Sequence, residues 1–351
     1  MPCFVVTGGG GFIGSHIVRA LLDRGDSVRV IDDFSTGKRE NLAEVEADID
    51  LHVIDIRTLD ALRPVFEGAD YVLHQGAIPS VPRSVQDPIS SHEANCTGTL
   101  NVLIAARDAG VKRVVQASSS SVYGSNPALP KVETMRPMPI SPYAATKLTQ
   151  EAYASAFYGS FGLETVSLRY FNVFGPRQDP KSEYAAVIPK FVTRLLAGEP
   201  PVIYGDGEQT RDFTFVADVV QANIRAMESD ARGVFNVAGG RRISLNELAS
   251  ILMELTGTRC EPISRMKTGR ASRLASQRSR RRADRSASRR QARRQLQSGS
   301  RLIPADPGAG RDGFRAGARG GSSTASCTCS SAGRGGARRA SETPGGGLGR
   351  A

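Results

Sequence analysis

The run Thr7-Gly8-Gly9-Gly10-Gly11-Phe12-Ile13-Gly14 leaves few folds open. It follows a β-branched stretch, Cys3 to Thr7, and precedes an amphipathic one, so the glycines must turn a strand into a helix within a few residues. Backbone without Cβ atoms lets a pyrophosphate approach, and the helix start offers free N–H groups and the positive end of its dipole. Two registers are open, one starting at Gly8 and one at Gly9, and both use Gly11 and Gly14, with Phe12 and Ile13 between them. Asp32 closes the second apolar run, where a carboxylate can accept from both ribose hydroxyls. A 2′-phosphate would be repelled there, which favours NAD over NADP, although Lys38 and Arg39 pull the other way.

Downstream, short apolar runs alternate with helical patterns, the signature of βαβ units. Strands are expected at 3–7, 27–32, 51–55, 70–74, 113–117 and 163–170, and helices at 12–24, 58–66, 92–109 and 142–160. This predicts an α/β fold: a Rossmann, doubly wound parallel sheet over residues 1–170, the NAD-binding domain. Residues 171–264 are patchier, with helices near 184–197, 217–228 and 244–256 and strands near 201–204 and 211–215. They are read as a smaller C-terminal substrate-binding lid domain, part of it returning to the Rossmann core.

The net charge of +11 suggests a nucleic-acid or membrane partner until it is located. Residues 1–264 carry 25 Lys and Arg against 31 Asp and Glu, and residues 265–351 carry 21 against 4. The excess therefore belongs to a tail dominated by Arg, Gly, Ala and Ser, which is too poor in apolar surface to offset its ordering entropy, and disorder is predicted there. Phe314 is its one aromatic residue, which disfavours a nucleic-acid partner by removing stacking platforms. The five cysteines, Cys3, Cys96, Cys260, Cys327 and Cys329, lack a completing His and are read as free thiols, with no metal site. No leader pattern or membrane-length apolar run is present, and a soluble cytoplasmic protein is expected.

Chemistry concentrates in two stretches. Ser141-Pro142-Tyr143-Ala144-Ala145-Thr146-Lys147 reads as a helix start, capped by Ser141 and with Pro142 in its first turn, so Tyr143 and Lys147 share one face. A phenol is protonated at neutral pH and needs a nearby cation to act as a base, which Lys147 and an oxidised nicotinamide could supply. Ala117 to Gly124 follows the fifth strand and offers serine hydroxyls at the carboxyl edge of the sheet, where open α/β proteins bind ligands.

These stretches, with Asp55-Ile56, His74-Gln75-Gly76-Ala77, Asn95 to Thr99, Leu168 to Gly175, Arg177 to Pro180, Tyr204 to Gly207 and Arg211-Asp212-Phe213, resemble the extended short-chain dehydrogenase/reductase family, from residue 3 to about 262. Within it the chain looks like the UDP-galactose and UDP-N-acetylglucosamine 4-epimerases. The resemblance implies Tyr143 as base, Ser119 on the sugar 4-hydroxyl and Lys147 on the nicotinamide ribose. It implies cofactor contacts for Asp55, Ile56, Ala77, Asn95, Ser118 and Tyr170, and substrate contacts for Asn172, Arg177, Tyr204 and Arg211. Gly76, where the family usually has Ala, and Cys96 are departures.

Dehydratases of the family carry an acidic pair after the catalytic hydroxyl, and decarboxylases a Glu before the V-Y-G element; here Ser120 and Ser121 stand there. Epimerisation of a UDP-sugar through a 4-keto intermediate is therefore expected, with dehydration or decarboxylation as the alternative. A non-catalytic NAD-binding protein with a nucleic-acid-binding basic tail is the second alternative. The stretch from Arg177 to Lys190 most resembles epimerases of N-acetylated hexoses, and helices 92–109 and 142–160 those through which members form homodimers. Relatives continue with a D-V-R-H-like segment; read one base out it yields Arg-Ala-Ser, the sequence at 270–272, and a frameshift near residue 266 is inferred.

Overall fold

The computed structural model describes residues 1–179 and 187–265. The tail from residue 266, with its expected disorder and frameshift, and the stretch 180–186 lie outside the described residues. The elements run β1 (Cys3–Thr7), α1 (Phe12–Asp23), β2 (Ser27–Ile31), β3 (Asp50–His52), α2 (Leu59–Phe66), β4 (Tyr71–His74), α3 (Val81–Gln86), α4 (Pro88–His92), α5 (Gly98–Asp108), β5 (Arg113–Ser119), α6 (Pro142–Phe161) and β6 (Glu164–Tyr170). There follow β7 (Val173–Phe174), α7 (Val187–Leu196), β8 (Val202–Tyr204), β9 (Thr210–Asp212), β10 (Thr214–Phe215), α8 (Val216–Glu228), β11 (Gly233–Val237), β12 (Arg242–Ser244), α9 (Leu245–Thr256) and β13 (Ile263–Arg265).

Seven parallel strands form the central sheet in the order β11-β6-β5-β4-β1-β2-β3. Phe4, Val5 and Val6 are fully buried, because a central parallel strand has helices against both faces. One face packs its apolar side chains with Ile17, Val18 and Leu21 of α1 and Val219, Val220 and Ile224 of α8. The other packs with Leu62 and Phe66 of α2, Val102 and Leu103 of α5 and Phe157 of α6. From β1 the chain moves outward through β2 and β3, returns to β4 on the other side of β1, and continues to β5 and β6. The loops after β1 and β4 therefore diverge, opening a crevice at the carboxyl ends of the strands.

The seventh strand, β11, was not expected from the sequence. Of Gly233-Val234-Phe235-Asn236-Val237 only Val237 is buried, since the strand lies at the sheet edge and lacks the continuous apolar run of its neighbours. The helix expected at 92–109 begins at Pro88 and is interrupted by a π turn, Glu93–Thr97, before α5. The strand expected at 51–55 ends at His52, and that at 211–215 breaks at Phe213 into β9 and β10. The carboxyl-terminal part has an apolar cluster of its own, formed by Phe191 of α7, Ile203 of β8 and Leu248 and Ala249 of α9. Among the described residues no helix is long and apolar enough to cross a membrane.

Candidate active site

The turn after β1 adopts the register that starts at Gly8. Gly8 has φ +68°, and a Cβ there would lie 2.7 Å from the Gly76 nitrogen. The Gly11 N–H donates to the Gly8 carbonyl, and a Cβ on Gly14 would lie 2.1 Å from that same oxygen. Gly11 starts α1 with no side-chain cap, so the helix start keeps its first N–H groups for a ligand. Asp32, just beyond β2, is buried, and it accepts from the Gly10 N–H at 2.8 Å and the Phe34 N–H at 2.8 Å. Burial raises its carboxyl above the ordinary range, and those two N–H bonds oppose the rise. The carboxylate thus also shapes the glycine turn, while its remaining lone pairs stay available to ribose hydroxyls. This cradle, in which glycines replace side chains and a carboxylate sits at the ribose position, fits a dinucleotide without a 2′-phosphate.

The flanking positions are mostly tied into the protein. Asp55 is held by Arg57, whose side chain and backbone N–H both donate to it and lower its carboxyl. Ile56 packs under Gly98, where a Cβ would come within 2.6 Å. Asn95, in the π turn, is fully buried; its Oδ1 accepts from the Ile78 N–H at 2.8 Å and its Nδ2 donates to Thr146 Oγ1 at 3.0 Å. It therefore fixes the turn containing Ala77 to α6. Tyr170 is buried with its hydroxyl between Gln75 and Asn223, and burial pushes it up to about 12.

Ser141 caps α6, accepting from the Ala144 N–H at 3.2 Å, and Pro142 opens its first turn. Burial pushes the Tyr143 phenol up to about 12, and its hydrogen bond with Ser119 works against that. Lys147 is buried, and desolvation pulls it down to about 8 against the opposing pull of Cys96 and Glu151. Its ammonium donates to the Ala117 carbonyl at 2.8 Å. Desolvation is thus the larger influence on the phenol, and the Lys147 ammonium is engaged at the end of β5.

Beneath this pair lies a buried network that the sequence did not reveal. Ser118 donates to Glu151 at 2.5 Å, and Arg169 grips both carboxylate oxygens of Glu151, at 2.9 and 2.8 Å. Arg169 also donates to the Tyr123 hydroxyl, which donates to Asn236 of β11. Burial pulls Arg169 down, but Glu151 and Tyr123 together hold it above its ordinary value.

On the other side of the crevice, Asn172 and Arg211 line a cleft of about 230 Å³ with Phe174, Val187, Phe213 and Leu245. Asn172 has φ +24° and donates to the Asp212 carbonyl at 2.8 Å. Arg211 is exposed, and Tyr204 is half-exposed at the end of β8. Arg177 is engaged elsewhere: its guanidinium pairs with Glu44 at 2.9 Å, which also pairs with Arg19 of α1.

Residues 4–238 match the model of the NAD dependent epimerase/dehydratase family. The UDP-glucose 4-epimerase of Mycolicibacterium smegmatis is 40% identical over 79% of this chain and 90% of its own length. A UDP-N-acetyl-alpha-D-glucosaminuronate decarboxylase of Bacillus cytotoxicus is 36% identical over 72% of this chain and 79% of its own. The structure of UDP-N-acetylglucosamine 4-epimerase from Methanobrevibacter ruminantium, in complex with UDP-N-acetylmuramic acid, superposes with a TM-score of 0.73 at 45% identity. It covers 76% of this chain and 85% of that one. With its Rossmann sheet, its glycine cradle for NAD and the Tyr143–Lys147 pair, the chain belongs to the NAD dependent epimerase/dehydratase family.

Proposed function

We propose that the chain is an isomerase, a UDP-sugar 4-epimerase that interconverts UDP-glucose and UDP-galactose or their N-acetylated forms. The observation that carries this reading is the run Ser119-Ser120-Ser121 at the end of β5, near Tyr143 in the first turn of α6, with serines rather than carboxylates following Ser119. One phenol suffices to move the 4-hydroxyl proton off and back, whereas eliminating a further group asks for another acid beside it. Bound NAD supplies the hydride acceptor and donor.

Ser119 holds the sugar 4-hydroxyl and Tyr143 accepts its proton. Lys147, fixed by the Ala117 carbonyl, steadies the nicotinamide ribose. Gly8, Gly11, Phe12, Ile13 and Gly14 receive the pyrophosphate, Asp32 the adenosine ribose, and Asp55 and Ile56 the adenine. Ala77, Asn95, Ser118 and Tyr170 line or position the nicotinamide end. After the first transfer the 4-keto sugar turns in the site; Tyr143 returns the proton to the 4-oxygen, and the configuration at C4 is inverted because the hydride that bound NAD would give back meets the other face of the ring. Asn172 and Arg211 anchor the UDP diphosphate, Tyr204 lies by the uracil, and Arg177 joins them on leaving Glu44. A cytoplasmic homodimer is part of the proposal, supported by the small exposed face of α6 formed by Ala145, Ala152, Ala156 and Gly159.

The test is to incubate the purified protein with UDP-glucose and with UDP-N-acetylglucosamine, without added NAD, and to resolve the 4-epimers. Epimer in either tube supports the reading and reports the sugar preference. Release of carbon dioxide from a UDP-hexuronate, with no epimer from any sugar, would replace it with decarboxylation, the reaction named for the Bacillus relative.

A further inference from the structure

His74, the last residue of β4, is 2% exposed and takes no part in the proton transfers above. Its Nδ1 is hydrogen-bonded to Thr7 Oγ1 at 2.6 Å and its Nε2 to Thr99 Oγ1 at 2.8 Å. Burial, reinforced by the nearby Lys147 ammonium, pushes the imidazole down to about 3, so it bridges two hydroxyls as an uncharged ring. Thr7 sits at the end of β1, where its Oγ1 also accepts from the Gly76 N–H at 3.2 Å and its carbonyl from the Gln75 N–H at 3.0 Å. Thr99 accepts from Gln150 of α6, and Gln150 also donates to the Asn95 carbonyl. Asn95 in turn holds the Ile78 N–H, and through Thr146 it reaches the carbonyl of Tyr143.

The backbone from Gly76 to Ile78 is thereby gripped at both ends, at Gly76 through Thr7 and at Ile78 through Asn95. It also abuts the glycine turn, since a Cβ on Gly8 would come within 2.7 Å of the Gly76 nitrogen. Any slackening of the 76–78 turn is felt at Gly8 on one side and at α6 on the other. We infer that His74 is a positioning residue for NAD, bridging Thr7 and Thr99 so that the Gly76–Ile78 turn keeps its place between the glycine cradle and Tyr143.

The inference rests on NAD binding and not on the sugar reaction, so it is tested without sugar. The NAD retained by the full-length protein after purification, and its rate of release on dilution, are compared for the parent, His74→Asn and His74→Phe. Phe preserves the ring but removes both hydrogen bonds; Asn loses volume but presents a polar atom near the Nδ1 position. If His74 positions the turn, His74→Phe releases NAD about tenfold or more faster, which is about 1.4 kcal/mol, and Asn retains more NAD than Phe. If the ring only fills space, Phe matches the parent and Asn is the worse of the two, and the inference falls. Thr99→Val, which removes only the far hydroxyl, replaces the comparison should a His74 variant fail to fold. Faster release at a thermal midpoint near the parent's supports the bridge, and unchanged release overturns it.

Discussion

Burial acts on Tyr143 and Lys147 in opposite directions, keeping the phenol protonated and disfavouring the ammonium. With its phenol pushed up to about 12 and only Ser119 opposing the rise, Tyr143 would need added positive charge, such as an oxidised nicotinamide carries, to serve as the proposed base. Tyr143→Phe is expected to cut turnover by about 10²–10⁴-fold while leaving NAD bound, read from initial rates and the cofactor content of the variant. Lys147 makes the opposite case. Its folded value of about 8 lies below its ordinary 10.5, so the unfolded chain binds the proton more tightly and the buried ammonium costs stability at neutral pH. Lys147→Met is expected to abolish activity yet raise stability at pH 7 by on the order of 1–3 kcal/mol, after the loss of the Ala117 hydrogen bond is counted. That gain is full below pH 8, shrinks as pH rises and vanishes above about 10.5, where both states of the parent carry a neutral amine. Thermal melts across that window check it. Tyr143, Lys147, Asp32 and the glycines were legible because their spacing along the chain is itself the signal. His74, Glu151 and Arg169 were not, because a histidine ending a strand or an arginine within one gives no sign of partners brought together by the fold.

The turn between β1 and α1 and the ion pair between α6 and β6 show how sharply these elements are specified. Gly14→Ala places a methyl 2.1 Å from the Gly8 carbonyl, so the turn must open; the variant is expected to lose its NAD on purification, as absorbance of the denatured supernatant would show. Arg169→Met leaves the Glu151 carboxylate buried without its partner, at a cost of about 3–5 kcal/mol. The double variant Glu151→Leu/Arg169→Met is expected to unfold at a higher denaturant concentration than Arg169→Met alone. Strands β1 and β4 were the most readable because a buried parallel strand carries a continuous apolar run, as in Phe4-Val5-Val6 and Val72-Leu73. Edge strand β11 offers only alternating burial, and the π turn at Glu93–Thr97 sits within an unbroken helical pattern, so neither shows in the sequence. The cleft at Asn172 and Arg211 was half legible: its polar residues stood out, while Phe174, Val187 and Leu245 read as ordinary core.

The two sides of the crevice are stitched together by long-range pairs, Arg177 with Glu44 and Lys38 with Asp179 among them. NAD, bound across the loops of β1 and β4, is expected to raise stability by about 2.7 kcal/mol at a concentration 100 times its dissociation constant, seen as a higher thermal midpoint. UDP is expected to add to this through the Asn172 and Arg211 side. The position of β11 carries a further consequence. Its partner β6 ends at Tyr170, and about 60 residues, including α7 and α8, are made before Gly233 appears. A ribosome adding about 5–20 residues per second takes several seconds over that interval. During it the edge of β6 is a row of unpaired amides beside Val166 and Leu168, open to the same strand of a neighbouring nascent chain. Yield of soluble protein should therefore respond to translation speed and to holding chaperones more steeply than the stability of the finished sheet would suggest.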